Sequence, residues 1–353
     1  AGYQTCLVGK WHCNSAFNQP EQPQPNDFGF DHWFATQNNA SPSHQDPNNF
    51  VRNGKQVGLK QGFSCQLVAD EAIDWLKQQR ETSPFFLFIA FHEPHEPIAS
   101  PPELVSDYQR VASTEDEAQY FANVANMDLA VGRIMETLSR EGLDENTLIV
   151  FTSDNGPETL NRYRSANRSY GKPGPLRGMK LHTTEAGFRV PGIIAWKNNI
   201  PDVLIGTTNT TPISSLDLLP TVCDLAGIPL PAESKLDGTS ITSILQGKTF
   251  RREKPLVWAY YNAINEARVA MRHQQWKVLA RLNGGSTPKL TNITKESFQI
   301  LRNAKLTDIE VYDLLHDQAE EKNLASDNQE LTRSLEILLQ KEYEALLGDS
   351  YAW

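Results

Sequence analysis

The chain has 353 residues, 39% hydrophobic and 22% charged, with a formal net charge of −10 at pH 7. That size and apolar content specify a globular protein with a substantial core, organised as one large domain or two unequal ones. The acidic balance excludes general nucleic-acid binding, which needs a basic stripe, and no stretch approaches the roughly 18 consecutive apolar residues of a membrane span.

Residues 1–20 have no basic start followed by an apolar core, so no signal peptide is visible. Ala1-Gly2-Tyr3 leads straight into Thr5-Cys6-Leu7-Val8, a predicted buried strand, with Gly2 in the cap position of a preceding helix. The start therefore reads as the interior of a longer chain. Gly9-Lys10-Trp11-His12 follows, and in an extended segment residues two apart face the same side, so Lys10 and His12 are expected to reach one anion together. Residues 14–62 are rich in Asn, Gln, Pro and His and read as long surface loops around an aromatic cluster at 28–34. Long loops often line a site, which makes Asn38, Asn39 and His44 rim candidates.

Residues 63–79 carry Leu67, Ala72, Ile73 and Leu76 at helical spacing, and Pro84 then precedes an apolar strand over 85–91. The strand ends in His92-Glu93-Pro94-His95-Glu96-Pro97, where the prolines stiffen the turn and fix the pose of His95, as a general acid or an anion contact requires. His92 is a further rim candidate. A second helix is predicted over 117–141, closed by Gly142. Thr147-Leu148-Ile149-Val150-Phe151 reads as a core strand that surfaces at Ser153-Asp154-Asn155-Gly156. Adjacent oxygen donors at a strand end suit calcium, although Asp-Asn-Gly is also an ordinary turn.

Beyond it, Arg162, Tyr163, Arg164, Arg168 and Tyr170 mix cations with aromatic rings. Such a loop either grips anionic groups and stacks on sugar rings or is simply a solvated basic loop. Leu176-Arg177-Gly178-Met179-Lys180 presents two more cations in a turn, ahead of a strand predicted over 188–196. A helix capped by Asp217 ends at Gly227, and residues 228–250 form a Pro/Gly-rich connection. Strands at 255–261, 267–272, 276–281 and 308–314, with no helices between the first three, predict an antiparallel sheet, followed by a helix over 328–347. This gives domains at 1–250 and 251–353. Cys6, Cys13, Cys65 and Cys223 show no CxxC pair or zinc spacing and read as buried thiols.

Lys10 with His12, His95, Asp154 with Asn155, and Lys180 thus lie at strand ends or in turns near them. Cations and imidazoles beside a metal half-site are the inventory for splitting a tetrahedral oxyanion ester, sulfate or phosphate.

These segments resemble the sulfatase family over nearly the whole chain. Gly2-Tyr3-Gln4-Thr5 with Gly9-Lys10-Trp11-His12 is similar to that family's Gly-Tyr-x-Thr and Gly-Lys-Trp-His segment. Gly29-Phe30-Asp31, the 84–97 region, Ser153-Asp154-Asn155-Gly156, Leu176-Arg177-Gly178-Met179-Lys180, Arg189-Val190-Pro191, Asp217-Leu218-Leu219-Pro220-Thr221, Asp237-Gly238 and Val311-Tyr312-Asp313-Leu314 follow in family order. The N-acetylgalactosamine-6-sulfatase type is the nearest in character, through residues 85–100.

The resemblance implies an alkaline-phosphatase-like α/β fold, a mixed sheet flanked by helices, with a smaller C-terminal subdomain of antiparallel sheet plus helix. It implies sulfate-ester hydrolysis on a sulfated carbohydrate, in a secreted or periplasmic protein. Asp154 and Asn155 would be Ca2+ ligands, Lys10 and Lys180 would hold sulfate oxygens, His95 would protonate the leaving alcohol, and His12 would contact the nucleophile. Substrate contacts would come from His92, Arg162, Arg164, Arg177, Asn38 and His44. The family's nucleophile is a formylglycine made within a Cys/Ser-x-Pro-x-Arg motif, and an Asp-Asp pair supplies further calcium ligands. Neither motif occurs in these residues. Both lie upstream of Gly-Lys-Trp-His in the family, so they are expected before Ala1, and this polypeptide alone is expected to be inactive. The competing readings are a phosphomonoester or phosphonate hydrolase of the same superfamily and a non-catalytic relative that binds sulfated glycans.

Overall fold

The computed structural model describes residues 1–79, 83–230 and 235–350; positions 231–234 of the Pro/Gly-rich connection lie outside the described residues. The chain forms two compact units. The first comprises Ala1–Ile149, Glu158–Lys172 and Trp196–Asn198, and the second Val150–Pro157, Pro173–Ala195 and Asn199–Trp353.

In the first unit, β1 (Gln4–Lys10), β2 (His32–Thr36), β3 (Val51–Arg52), β4 (Lys55–Gln56) and β5 (Phe85–Ala90) form one sheet in the order β4-β3-β2-β1-β5. β1 runs parallel to β2, from Cys6↔His32 to Lys10↔Thr36, and parallel to β5, from Gln4↔Phe85 to Gly9↔Ala90. β3 and β4 are antiparallel additions, so the sheet is mixed. Because successive strand residues alternate faces, Cys6 and Val8 enter one core while Leu7 enters another. The first core also takes Phe34 of β2, Val68, Ala72 and Leu76 of α1 (Ser64–Leu76), and Ala130, Ile134 and Leu138 from a later helix. The second joins Leu7 to Trp11, Trp33, Ala35 and Val51. Helices α2 (Pro102–Tyr108) and α3 (Glu115–Arg140) complete this unit, and the side chain of Thr114 caps α3 by accepting from the Glu117 N–H at 3.1 Å.

Residues 14–62 are not merely loops. They contain β2, whose Trp33, Phe34 and Ala35 are buried, and the β3–β4 hairpin, which turns at Asn53-Gly54 with φ of 45° and 81°. A strand with both faces covered has no alternation to detect, and β3 and β4 are two residues each. The extended geometry assumed for Lys10 and His12 also fails: β1 ends at Lys10, and His12 has a φ of 50°.

β6 (Ile149–Thr152), which belongs to the second unit from Val150 onward, pairs with β7 (Gly192–Ala195), joined through the short α4 (Glu185–Phe188). Phe188, read as strand, belongs to α4. α5 (Leu218–Leu225) and α6 (Thr242–Leu245) precede β8 (Leu256–Ala259), β9 (Val269–His273) and β10 (Trp276–Leu282). α7 (Lys295–Asn303), which was not anticipated, leads to β11 (Leu306–Asp313), and α8 (Gln329–Asp349) closes the fold. The sheet is antiparallel in the order β11-β10-β9-β8. Leu335, Leu339, Tyr343 and Leu347, at helical spacing on α8, pack on Val269, Met271, Val278 and Val311. Asp217 does not cap α5 forward. Its carboxylate takes the N–H groups of Ser214 at 2.7 Å and Thr239 at 2.8 Å and pairs with Arg252.

All four cysteines are free: Cys6 and Cys65 are buried as expected, whereas Cys13 is exposed and Cys223 only half-buried. Among the described residues no helix is long and apolar enough to cross a membrane.

Candidate active site

In the first unit, the C-terminal ends of β1, β2 and β5 lie on one edge of a parallel sheet, the edge at which open α/β sheets gather ligands. Gly9 permits this. It sits at φ 106°, and a Cβ there would overlap the carbonyl oxygen of Ala90 on β5. The close approach brings Lys10 to the edge, where its Nζ donates to Asn39 Oδ1 at 3.0 Å. The main chain then turns, with Trp11 N–H on Thr36 O at 2.9 Å and His12 N–H on Gln37 O at 2.8 Å.

His92 is buried beneath this edge. Its Nε2 lies 2.7 Å from Thr36 Oγ1, whose single proton goes to the Asn38 carbonyl oxygen. A hydroxyl has only one proton to give, so His92 Nε2 must be the donor and Nδ1 carries a bare lone pair, buried without a partner among the described residues. Burial drives the His92 pKa down to about 3, with the charge of Lys10 adding to the effect against that of Glu93, so the ring is neutral. His92 and Asn38 therefore support the segment that carries Asn39, and through it Lys10.

The turn after β5 carries two buried carboxylates. Glu93 accepts from the N–H of Cys65 at 2.9 Å and from the hydroxyl of Ser64, which caps α1 from a distance, since the helix's own N-cap Phe63 has no acceptor. His44 lies 3.7 Å from Glu93 Oε1 and faces Asn123 at 3.0 Å. Burial lowers the His44 pKa, while His44 and the Ser64 hydrogen bond lower that of Glu93 against its own burial. His95 keeps a quarter of its side chain exposed; its Nδ1 is 2.9 Å from the Glu96 carbonyl oxygen and 3.7 Å from Glu96 Oε2. Glu96 also accepts from Ser169 Oγ at 3.2 Å.

Arg162 is paired with Glu158 through two hydrogen bonds of 2.7 and 2.8 Å and lies over the Tyr163 ring. Arg164 is exposed. Arg168 anchors the loop, bonding Asp116 on α3 at 2.8 Å and the Ile98 carbonyl at 2.7 Å.

In the second unit, Asp154 and Asn155 follow β6. Asp154 Oδ1 accepts the Asn155 N–H at 2.8 Å, and Asn155 Nδ2 donates to the Gly156 carbonyl at 2.9 Å, which leaves Asn155 Oδ1 as an acceptor. A Cβ on Gly156 would overlap the Ala186 carbonyl oxygen, and its N–H bonds Gly187 O at 3.0 Å. Lys180 N–H bonds Pro157 O at 2.8 Å, so Lys180 is tied to the segment that follows Asn155. Arg177 instead turns toward β11, donating to the Tyr312 hydroxyl at 3.0 Å and the Glu320 carbonyl at 3.1 Å. As donor chemistry, a carboxylate beside a carboxamide oxygen fits calcium, and these two residues supply two of the roughly six to eight oxygens such an ion takes. Among the described residues no group of three or more His, Cys, Asp or Glu side chains could hold a metal.

The sequence reading did not single out Thr36, Glu93, Glu96 or Asn123. The available signal was the doubled His-Glu-Pro spelling of 92–97, in which each histidine is followed by a carboxylate.

The sequence profile described as Sulfatase matches residues 1–228, and one described as N-sulphoglucosamine sulphohydrolase, C-terminal, matches residues 180–346. The chain is 36% identical over 199 residues to steryl-sulfatase of Rattus norvegicus, covering 56% of this chain and 32% of that protein. It is 32% identical over 284 residues to N-acetylgalactosamine-6-sulfatase of Sus scrofa, covering 76% and 51%. The chain thus spans from about a third to about half of the length of these relatives. Among solved structures, Ps i-CgsB in complex with k-i-k-neocarrahexaose superposes with a TM-score of 0.76 at 23% identity, covering 97% of this chain and 72% of that one. This likeness shows the fold, the alkaline-phosphatase-like α/β architecture with its mixed sheet and C-terminal antiparallel sheet. With the family profile matched across residues 1–228, the chain belongs to the sulfatase family.

Proposed function

We propose that this protein hydrolyses sulfate esters on a sulfated carbohydrate. The observation that carries the reading is Lys10 at the end of β1, held by Asn39, with His95 fixed at the matching end of β5, in a chain that matches the sulfatase profile over this region. Named relatives support the substrate class: an N-acetylgalactosamine-6-sulfatase and a structure holding a carrahexaose.

Lys10 and Lys180 balance the charge of the sulfate oxygens, and His95 protonates the leaving sugar oxygen. His12 contacts the nucleophile, which the family resemblance makes a formylglycine. Asp154 and Asn155 would hold calcium through carboxylate and carboxamide oxygens, and when bound that ion would supply positive charge to stabilise the anionic reacting group. His92, Asn38 and His44 support the edge from beneath, and Arg162, Arg164 and Arg177 are outer contacts for neighbouring anionic groups of the glycan. A secreted or periplasmic location suits a polymeric substrate.

Turnover of an aryl sulfate and an aryl phosphate by the native protein tests the reaction class. A kcat/KM for sulfate at least about a hundredfold above that for phosphate is expected. The reverse order would make the protein a phosphoester hydrolase.

A further inference from the structure

The turn that carries His95 contains a second feature of chemical consequence. The Glu96 carbonyl oxygen lies 2.9 Å from His95 Nδ1, and a carbonyl can only accept, so Nδ1 carries a proton and the exchangeable proton of catalysis belongs to Nε2. The carboxylate of the same residue stands 3.7 Å from Nδ1. Glu96 is only 2% exposed, and its Oε1 is buried without a hydrogen-bond partner among the described residues. A buried carboxylate with unused acceptor capacity, next to a partly exposed imidazole of fixed tautomer, favours the charged form of that ring.

We propose that Glu96 is a positioning residue for His95, fixing its tautomer through the main chain and stabilising its imidazolium through the buried carboxylate, so that His95 acts as a general acid near neutral pH. The role assigned to the Nε2 proton rests on the sulfate-ester reading; the pair itself does not. As the ester S–O bond breaks, its electron pair stays on the sugar oxygen, which takes the proton from Nε2. The sulfuryl group passes to the attacking oxygen nucleophile, and water completes the conversion of ester and water into alcohol and hydrogen sulfate.

Other groups also act on His95. His44 and His92 are coupled to His95 by charge, Glu93 is a second buried carboxylate in the same turn, and Lys10 at the end of β1 acts on His92. Ser169 from the 158–172 segment donates to Glu96 Oε2 and holds the carboxylate in place. Glu96 reaches the Nδ1 side of the ring with both its carbonyl and its carboxylate.

Titration of the histidine rings by NMR tests the pair directly. In the wild-type protein His95 should show the Nδ1–H tautomer when neutral and titrate above the roughly 6.5 of a free histidine. In Glu96→Gln, which keeps size and carbonyl, its midpoint should fall by about one pH unit. An Nε2–H tautomer, a wild-type midpoint below about 6.5, or an unmoved midpoint in the variant would overturn the proposal. The wild-type arm decides it even if the variant does not fold. In turnover, Glu96→Gln should slow release from a sugar sulfate about tenfold at pH 8. Nitrophenyl sulfate, whose leaving group needs no proton, should change less than about twofold. Equal losses on both substrates would reduce Glu96 to a structural residue and overturn the role. Absence of sulfate release by the wild type would instead refute the sulfatase reading and leave the NMR result to judge the pair.

Discussion

Single residues carry the tightest constraints. Gly9 combines a left-handed φ of 106° with no room for a Cβ against Ala90, and it immediately precedes Lys10. Gly9→Ala is expected to destabilise the fold by at least about 2 kcal/mol in urea unfolding, through strain and loss of the β1–β5 register. Lys277 is fully buried between Glu185 at 2.9 Å and Glu320 at 3.4 Å, beneath the Phe188 ring. Lys277→Ala strands two carboxylates and should cost about 3–5 kcal/mol, read as a lowered urea midpoint. Burial already pushes the Glu320 carboxyl above its ordinary range even with Lys277 present. At this scale the sequence was partly legible. Lys10, His95 and Asp154 stand out because polar groups follow closely on apolar runs, and Lys180 because a Gly-containing turn presents it. Glu93 and Glu96 did not, because a carboxylate's burial depends on how the turn folds back on α1 and on Ser169, which no local pattern encodes.

At the scale of elements, one carboxylate on α1 ties the helix to two strands of the first sheet, in addition to its core packing. Glu71 accepts from His32 on β2 at 2.8 Å and from Arg52 on β3 at 2.7 Å. Although burial alone would raise its pKa, these two partners lower it to about 2, well below the ordinary carboxylate range. The folded value is depressed, so the stabilisation is complete above the unfolded value and is lost as pH falls from about 4.5 toward 2. Glu71→Gln should therefore be less stable than wild type by on the order of 2–3 kcal/mol at pH 7, a gap that closes toward pH 2 in urea titrations. A gap independent of pH would show that the charge is not what fastens the helix. Long periodic elements such as α3, α8 and β10 were legible from spacing. β2 was hidden because its flanks, His32 and Thr36, are polar while its centre is buried on both faces, and α7 because its polar flanks read as connection.

Across the whole molecule, strand order follows from parallel pairing. β1, β2 and β5 present Lys10, the Asn38-Asn39 segment and the His92–Pro97 turn on one edge of the first unit. The second unit carries Asp154, Asn155 and Lys180 on a segment knitted by the Pro157–Lys180 and Gly156–Gly187 hydrogen bonds. The alternation of strands and helices made this α/β organisation readable, whereas the interleaving of chain segments between the two units depends on long-range packing. The role proposed for Lys180 is the one a single assay addresses most directly. Inorganic sulfate released from a panel of sulfated oligosaccharides should be measured by ion chromatography for the native protein and its Lys180→Ala variant. The account predicts steady release by the native protein and a loss of at least about a hundredfold in the variant; no release by the native protein, or undiminished release by the variant, would contradict it.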